Sequence, residues 1–205
     1  GCATMSPTSS LLSADLPSLA PYLTLVGIIA FQRLLELKHS RNHEAALKAR
    51  GGLEMAPNQF ASMRLLHLFW LGGCVAEAYW IREPPPPTIV LPAAALLMAG
   101  QILRYAAMSA LGERWTVRII ALPGVPPVRR GIYRYMRHPN YLGVILEIAA
   151  LPMIFGCWIT ALIGSAANAL ILWIRIRTEE AALEAVSDYE ESFGSTRRFF
   201  PSSHS

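Results

Sequence analysis

The sequence predicts an all-α integral membrane protein with about five transmembrane helices. Three observations carry this reading. Of 205 residues, 53% are hydrophobic and only 16% are charged, and the mean hydropathy is +0.35, beyond the range of an ordinary soluble domain. Apolar runs of bilayer-spanning length recur between short polar, Pro-rich or Gly-rich stretches. The basic residues are also asymmetric: five lie at 33–50, seven at 104–137 and four at 175–198, Arg64 opens the second span, and Arg82 alone is left for the other face. The positive-inside rule then places the N-terminus outside and the C-terminus in the cytoplasm. The pI near 9.2 matches anionic lipid headgroups better than nucleic acid, because the basic residues flank apolar spans and form no compact tract.

Residues 1–18 are read as a mobile N-terminus, with Gly1 to Thr4 preceding a native start at Met5. No Lys or Arg precedes the first apolar run, so no secretory signal is expected. The first span is Leu19 to Leu37, and near its end Arg33 and Glu36 stand at i,i+3. They read as an interfacial ion pair in preference to a polar cluster facing a bundle interior. Residues 38–60 read as a polar basic loop with a short helix around 43–50, ended by Gly51-Gly52. His39 and His43 at i,i+4 have no third ligand nearby and read as solvated surface, not as a metal pair.

The second span, Met63 to Ile81, contains His67 and Glu77, which belong in a bundle interior or wet cavity. REPPPP at 82–87 is a stiff turn. The third span, Thr88 to Met108, closes a region of three N-terminal helices at 19–108 and carries Arg104 about one turn inside the bilayer edge, where burial requires an anionic partner.

Residues 109–205 form the C-terminal region. VRIIAL at 117–122 has no evident partner strand and reads as an interfacial helix or extended loop. GIYRYMRHPNYLG follows, crowding Tyr133, Arg134, Tyr135, Arg137, His138 and Tyr141 at the point where water meets lipid. Pro139 suits a helix start, so the loop enters a membrane helix there, and a helix N-terminus accommodates an anion. An interfacial anchor is the plainer reading of the same residues. Leu142 to Ile174 is too long for one span and breaks near Phe155-Gly156-Cys157 into two antiparallel helices, the second carrying the small residues GSAANA at 164–169. Arg175 and Glu179 stand at i,i+4 on its exit, and the tail to about Ser192 reads as an amphipathic surface helix with Tyr189 and Phe193. Cys2, Cys74 and Cys157 are too scattered for a disulfide framework or a zinc site. On this topology Arg104, the HPNY motif and the Arg175–Glu180 exit share the cytosolic face. They make a site formed by the C-terminal half that opens to cytosol and to lipid.

The third span running into LGERW, then GIYRYMRHPNYLG, then RIRTEEAALEAVSDYEESFG, resembles the isoprenylcysteine carboxyl methyltransferase family over residue 30 to Pro201. LLELKHSRNHEAALKARGGLE and LGERWTVRIIALPG are similar to its bacterial branch that accompanies type III polyketide synthases and O-methylates alkylpyrones or alkylresorcinols. The resemblance implies S-adenosyl-L-methionine as cofactor, no metal, and a lipophilic acceptor from the bilayer, with a prenylcysteine carboxylate as second choice. It implies cofactor contacts at Tyr133, His138, Pro139, Asn140 and Tyr141, a loop wall from Val125 to Val128, and an acidic contact at Glu179 or Glu180. Arg104, Arg175 and Glu179 are the implied catalytic residues, the arginines holding the acceptor oxygen as an anion for in-line attack on the sulfonium methyl. A bacterial inner-membrane location with a cytoplasmic site is expected, and the oligomeric state stays open. The competing readings are a sterol-type reductase using a nicotinamide cofactor, since RHPNYLG also resembles that family, and a non-enzymatic membrane carrier.

Overall fold

The computed structural model describes residues 16–81 and 83–200, with the side chains of 16–18 excepted. Residues 1–15 of the expected mobile N-terminus, and Arg82 of the proline turn, lie outside it. Five long helices dominate. Helix α1, Leu16–Ala49, runs for 34 residues, or about 51 Å. It does not stop at Leu37 as the sequence reading expects. Lys38 to Ala49 contains no Gly or Pro, so nothing interrupts the backbone ladder, and the helix continues beyond its apolar part. It ends where Gly51 adopts φ 86° while the Gly52 and Gly51 N–H groups return to the Leu47 and Lys48 carbonyls at 2.9 and 3.0 Å, the pairing of a Schellman cap.

A three-residue strand follows, β1 (Leu53–Met55), then α2 (Asn58–Ile81) and α3 (Pro87–Leu111). Strand β2 (Ile119–Ala121) pairs antiparallel with β1, Leu53 opposite Ala121, so VRIIAL has a partner after all. That partner is only three residues long and lies 64 positions away, which is why no alternating pattern announces it. Short 3-10 turns at Gly112–Arg114 and Gly131–Arg134 lead to α4 (Pro139–Met153) and α5 (Trp158–Glu184). The break expected near Phe155-Gly156-Cys157 is present, with Gly156 at φ 78°. The tail is not one surface helix. Helix α5 stops at Glu184, and a separate turn of helix, α6 (Tyr189–Phe193), buries Tyr189 and Phe193.

Among the described residues, three helices are long and apolar enough to cross a membrane: Leu19–Ala49, Pro87–Arg114 and Trp158–Glu184. The core explains why the apolar content is so high. Leu19, Tyr22, Val26 and Ile29 of α1 meet Leu66, Trp70, Cys74 and Ala78 of α2 and Val144, Ile148 and Leu151 of α4. These are narrow stripes at helical spacing. Between them Phe31, Leu68, Phe69 and Leu162 are more than 60% exposed, a pattern suited to a lipid surround and costly in water. Cys74 and Cys157 are buried in this core as small apolar groups.

Two packing details position the site. Helices α3 and α4 touch backbone to backbone: a Cβ on Gly143 would lie 2.6 Å from Arg104 Cγ and 2.7 Å from the Gly100 carbonyl. On the opposite end of the bundle, Glu77 accepts from the Ile159 and Thr160 N–H groups at 3.0 and 2.7 Å. It thereby satisfies the free first turn of α5, a structural task for a carboxylate at a helix N-terminus.

Candidate functional site

A cavity of about 760 Å³ runs between the helices and has two dissimilar limbs. One is polar and aromatic, lined by Tyr133, His138, Asn140, Tyr141, Glu179 and Tyr189. The other is apolar, lying between α1 and α2 along Ala30, Leu34, Leu65, Leu68 and Leu71, with His67 among them. Leu34, Leu65 and Leu68 are also exposed on the outer surface.

The polar limb is assembled by a helix start. His138 caps α4 and Pro139 takes the first helical position, where its missing N–H costs nothing. That fixes Asn140 and Tyr141 on the first turn. The Tyr141 hydroxyl donates to Glu179 Oε2 and accepts from Arg175 Nε at 2.9 Å. No direct Arg175–Glu179 ion pair is found among the described residues; the tyrosine stands between them. The other end of Arg175 donates to the Val117 carbonyl, and Val117 N–H donates to the buried Ser40 hydroxyl at 2.8 Å. His43 Nδ1 donates to the Trp115 carbonyl at 2.8 Å, so the segment from Trp115 to Ala121 is a strap tied to α1 on one side and to α5 on the other. His43 is thus a structural contact, not solvated surface, and no metal cluster occurs among the described residues.

The C-terminal segment closes this limb. The Arg137 and His138 N–H groups donate to the Arg197 and Arg198 carbonyls, both at 3.0 Å. Arg198 meets Glu180 at 2.5 Å, a contact that raises the arginine pKa. Desolvation raises the pKa of the Tyr133 hydroxyl and that of Tyr189 well above the phenol range, so both remain neutral donors beside the cavity.

A buried ion quartet borders the cavity through Arg33, Glu36 and Arg104. Arg33 reaches Glu36 at 2.6 Å and Glu147 at 2.9 Å. Arg104 reaches Glu36 at 2.5 Å, with its Nε 3.6 Å from Glu147. Gln32 joins Glu36 at 3.1 Å and Gln101 at 2.7 Å. Arg33 and Glu36 are therefore not an interfacial pair. They face the bundle interior, because Glu147 and Arg104 offer opposite charges there, and two cations meet two anions.

The predicted residues divide accordingly. Arg104, Val128, Tyr133, His138, Asn140, Tyr141, Arg175 and Glu179 all line the one cavity. Val125, Pro139 and Glu180 do not. Pro139 is buried as the helix start, and Val125 belongs to a turn whose neighbour Gly124 bonds to Val186. Glu180 sits behind His138, accepting from its Nε2 at 3.0 Å. Of the two candidate acidic contacts, Glu179 is the one that faces the cavity. The sequence reading left Phe193 and the strap out of the site, and it gave His67 and Glu36 no role there. One signal was available for α1: its buried stripe at 19, 22, 26 and 29 continues in register as Glu36, Ser40 and Leu47, so the polar members had to face inward too.

Fold and site together define a helical membrane protein whose cavity has a polar, aromatic wall and an apolar one. Residues 93–185, from α3 through α5, match the isoprenylcysteine carboxyl methyltransferase (ICMT) family. The chain is 34% identical over 163 residues to the uncharacterized protein YpbQ of Bacillus subtilis, covering 80% of this chain and 96% of that one. It is 32% identical over 162 residues to an uncharacterized protein of Haemophilus influenzae, covering 78% and 93%. It is 34% identical over 112 residues to the protein-S-isoprenylcysteine O-methyltransferase of Schizosaccharomyces pombe, covering 52% of this chain and 45% of that enzyme. Residues 93–185 of the chain thus carry an ICMT-family domain, and the chain is related over most of its length to the two uncharacterized bacterial proteins. Enzymes of this family generally use S-adenosylmethionine.

Proposed function

We propose that the protein is an S-adenosyl-L-methionine-dependent O-methyltransferase acting on a lipophilic acceptor, an alkylpyrone or alkylresorcinol-like polyketide in preference to a prenylcysteine. The observation that carries this reading is one cavity whose wall is polar and aromatic in one part and apolar in the other. A soluble cofactor and a membrane-dissolved acceptor can enter from different sides and meet inside.

The polar limb fits the cofactor. Asn140 lines it, and its Oδ1 is buried without a partner among the described residues, a cost that a donated amine hydrogen would remove. Glu179 offers a carboxylate to an ammonium group, and the Tyr133, Tyr141, Tyr189 and Phe193 rings present faces that suit a sulfonium and an adenine. When bound, the cofactor supplies an electrophilic methyl group. Arg175 fixes the Tyr141 hydroxyl, which in turn holds the Glu179 carboxylate in place. Arg104 and Arg175 border the junction of the limbs and orient the acceptor oxygen. Both already have acceptors of their own, so they act as positioned donors and not as free cations. The buried quartet and the packed apolar walls exclude water from that junction.

On this reading the site faces the cytoplasm of a bacterial inner membrane, and α2 and α4 complete five crossings. Titrating the purified, detergent-solubilised protein with S-adenosylhomocysteine in a calorimeter tests it. Saturable binding that is lost in Glu179→Ala and weakened in Asn140→Leu supports the assignment. No binding by protein that melts cooperatively refutes it, and a nicotinamide cofactor is then the next ligand.

A further inference from the structure

Three arginines that the activity just proposed does not use meet where α3 ends. Arg114 is half-buried and lines the cavity beside Leu47, Leu111, Leu122 and Val128. Its Nη1 donates to the Pro126 carbonyl at 2.8 Å. Arg130 packs on the same turn: its Nε donates to the Ala110 carbonyl at 2.7 Å, and a Cβ on Gly112 would lie 3.5 Å from its Nη2. Arg50, directly after α1, is the third, for Arg50 and Arg130 are the charged groups that act on Arg114. The exposed Arg50 side chain has no hydrogen bond or ion pair among the described residues. One nitrogen each fixes Arg114 and Arg130 to a backbone carbonyl, and their other nitrogens stay unengaged among those residues.

The neighbouring carboxylates are engaged elsewhere. Glu54 is held by Lys48 and Arg118, and Glu44 by Arg118 at 3.3 Å. Glu113 is exposed and lines a separate pocket with His39 and His43. Like charges gathered in this way repel unless an anion sits among them. Guanidinium forks suit phosphate, whose oxygens accept two parallel N–H donors. The depth of the cluster indicates which phosphate. The apolar span of α3 runs to Arg114, so the arginines stand where hydrocarbon gives way to headgroups, and the wall beside Arg114 is apolar. A phosphodiester that carries acyl chains matches both features, whereas a soluble phosphate matches only the first. An acidic protein would need a protruding basic face, and Arg114 is recessed.

We propose that Arg50, Arg114 and Arg130 form a defined binding site for the phosphodiester headgroup of an anionic phospholipid. This differs from the diffuse attraction that an excess of Lys and Arg gives to one membrane face, because two of the three guanidinium groups are held in place before the lipid arrives. The site joins the end of α1, the end of α3 and the loop that leads into the Gly131–Arg134 turn. A bound headgroup therefore braces the segment that carries Tyr133 and, beyond it, the HPNY turn. The proposal does not depend on methyl transfer.

The test uses the full chain in a neutral detergent, with lipid retention read by native mass spectrometry and melting by tryptophan fluorescence. Phosphatidylglycerol is compared with phosphatidylcholine, which has the same phosphodiester beside a cation, and with inorganic phosphate. One phosphatidylglycerol per chain binds saturably and, at about a hundred times its dissociation constant, raises Tm by about 5–10 °C. Phosphatidylcholine and inorganic phosphate leave Tm unchanged. Arg50→Gln/Arg114→Gln weakens phosphatidylglycerol binding about 100-fold, while Lys38→Gln/Arg41→Gln, which removes the same charge from the exposed side of α1, leaves it nearly unchanged. The single variant Arg50→Gln takes no side-chain hydrogen bond from the fold, so its weaker lipid binding reads the site without disturbing the packing. Phosphatidylcholine or inorganic phosphate acting as well as phosphatidylglycerol overturns the proposal, and so do equal losses in the two double variants. So does the absence of saturable lipid binding by protein that melts cooperatively. Loss of S-adenosylhomocysteine binding in cooperatively melting Arg50→Gln would assign the arginines to the cofactor's carboxylate and overturn the proposal while leaving the methyltransferase reading intact.

Discussion

Replacing Glu147 by alanine leaves the buried quartet with two guanidinium groups and one carboxylate. Glu147 is 2% exposed, so water cannot compensate. Breaking a buried pair by removing one partner costs about 3–5 kcal/mol. Here the lower end applies, because Arg33 keeps Glu36 at 2.6 Å and only its second carboxylate is lost. About 3 kcal/mol corresponds to a fall in Tm of roughly 6–12 °C for a chain of this size. Tryptophan fluorescence on heating in detergent reads this directly, since the Trp70 indole donates to the Ile148 carbonyl at 3.0 Å, one residue from the substitution. The double variant Arg33→Met/Glu147→Leu restores neutrality with apolar volume and regains most of the loss, to within about 1 kcal/mol. A Glu147→Ala protein melting within about 2 °C of the parent, or a double variant no better than the single, would refute the claim that charge balance holds these helices together.

Two further outcomes are expected. Gly143→Ala inserts a methyl against Arg104 Cγ and the Gly100 carbonyl. The carbonyl is backbone and cannot swing away, so the helices part at a cost of about 1–3 kcal/mol; a lowered Tm checks this, and a Tm at or above that of the parent contradicts it. Glu54, hydrogen-bonded by Lys48 and by Arg118, has a lowered carboxyl pKa. Its contribution is therefore complete above the unfolded glutamate value of about 4.3 and fades as pH falls through the lower folded value. Melting of the parent and of Glu54→Gln should differ at pH 7 and converge in acid; a gap that persists at low pH counts against the ion pairs of the ribbon.

The parts of the fold that were legible in the sequence are those governed by local rules. Apolar run length located the long helices, Pro139 marked the start of α4, and the over-long run from Leu142 to Ile174 required the break that Gly156 supplies. Local rules also brought Tyr133, His138, Asn140, Tyr141 and Glu179 to one place, since they follow from one loop and two helix ends. What escaped depends on partners distant in the chain. Strand β2 has no meaning without three residues before α2. Arg33 and Glu36 look like a surface pair until Glu147, more than a hundred positions later, turns them inward. Arg175 and Glu179 have the spacing of a helix ion pair, yet a tyrosine from another helix separates them. Each case is a competition between a local partner at modest gain and a buried one whose alternative is an unpaired charge, and the buried partner wins.

The contacts between Arg137-His138 and Arg197-Arg198 also have a consequence for biosynthesis. Translation delivers the five long helices before Tyr189, Phe193 and the 197–198 carbonyls leave the ribosome. Insertion into the bilayer therefore precedes completion of the polar limb, and the newly inserted chain carries an open, unlidded compartment. A chain arrested after Glu184 would hold its helices in place and still lack the aromatic wall and the main-chain pairing that seat the HPNY turn. Completion of the polar limb therefore waits on Tyr189, Phe193 and the 197–198 main chain.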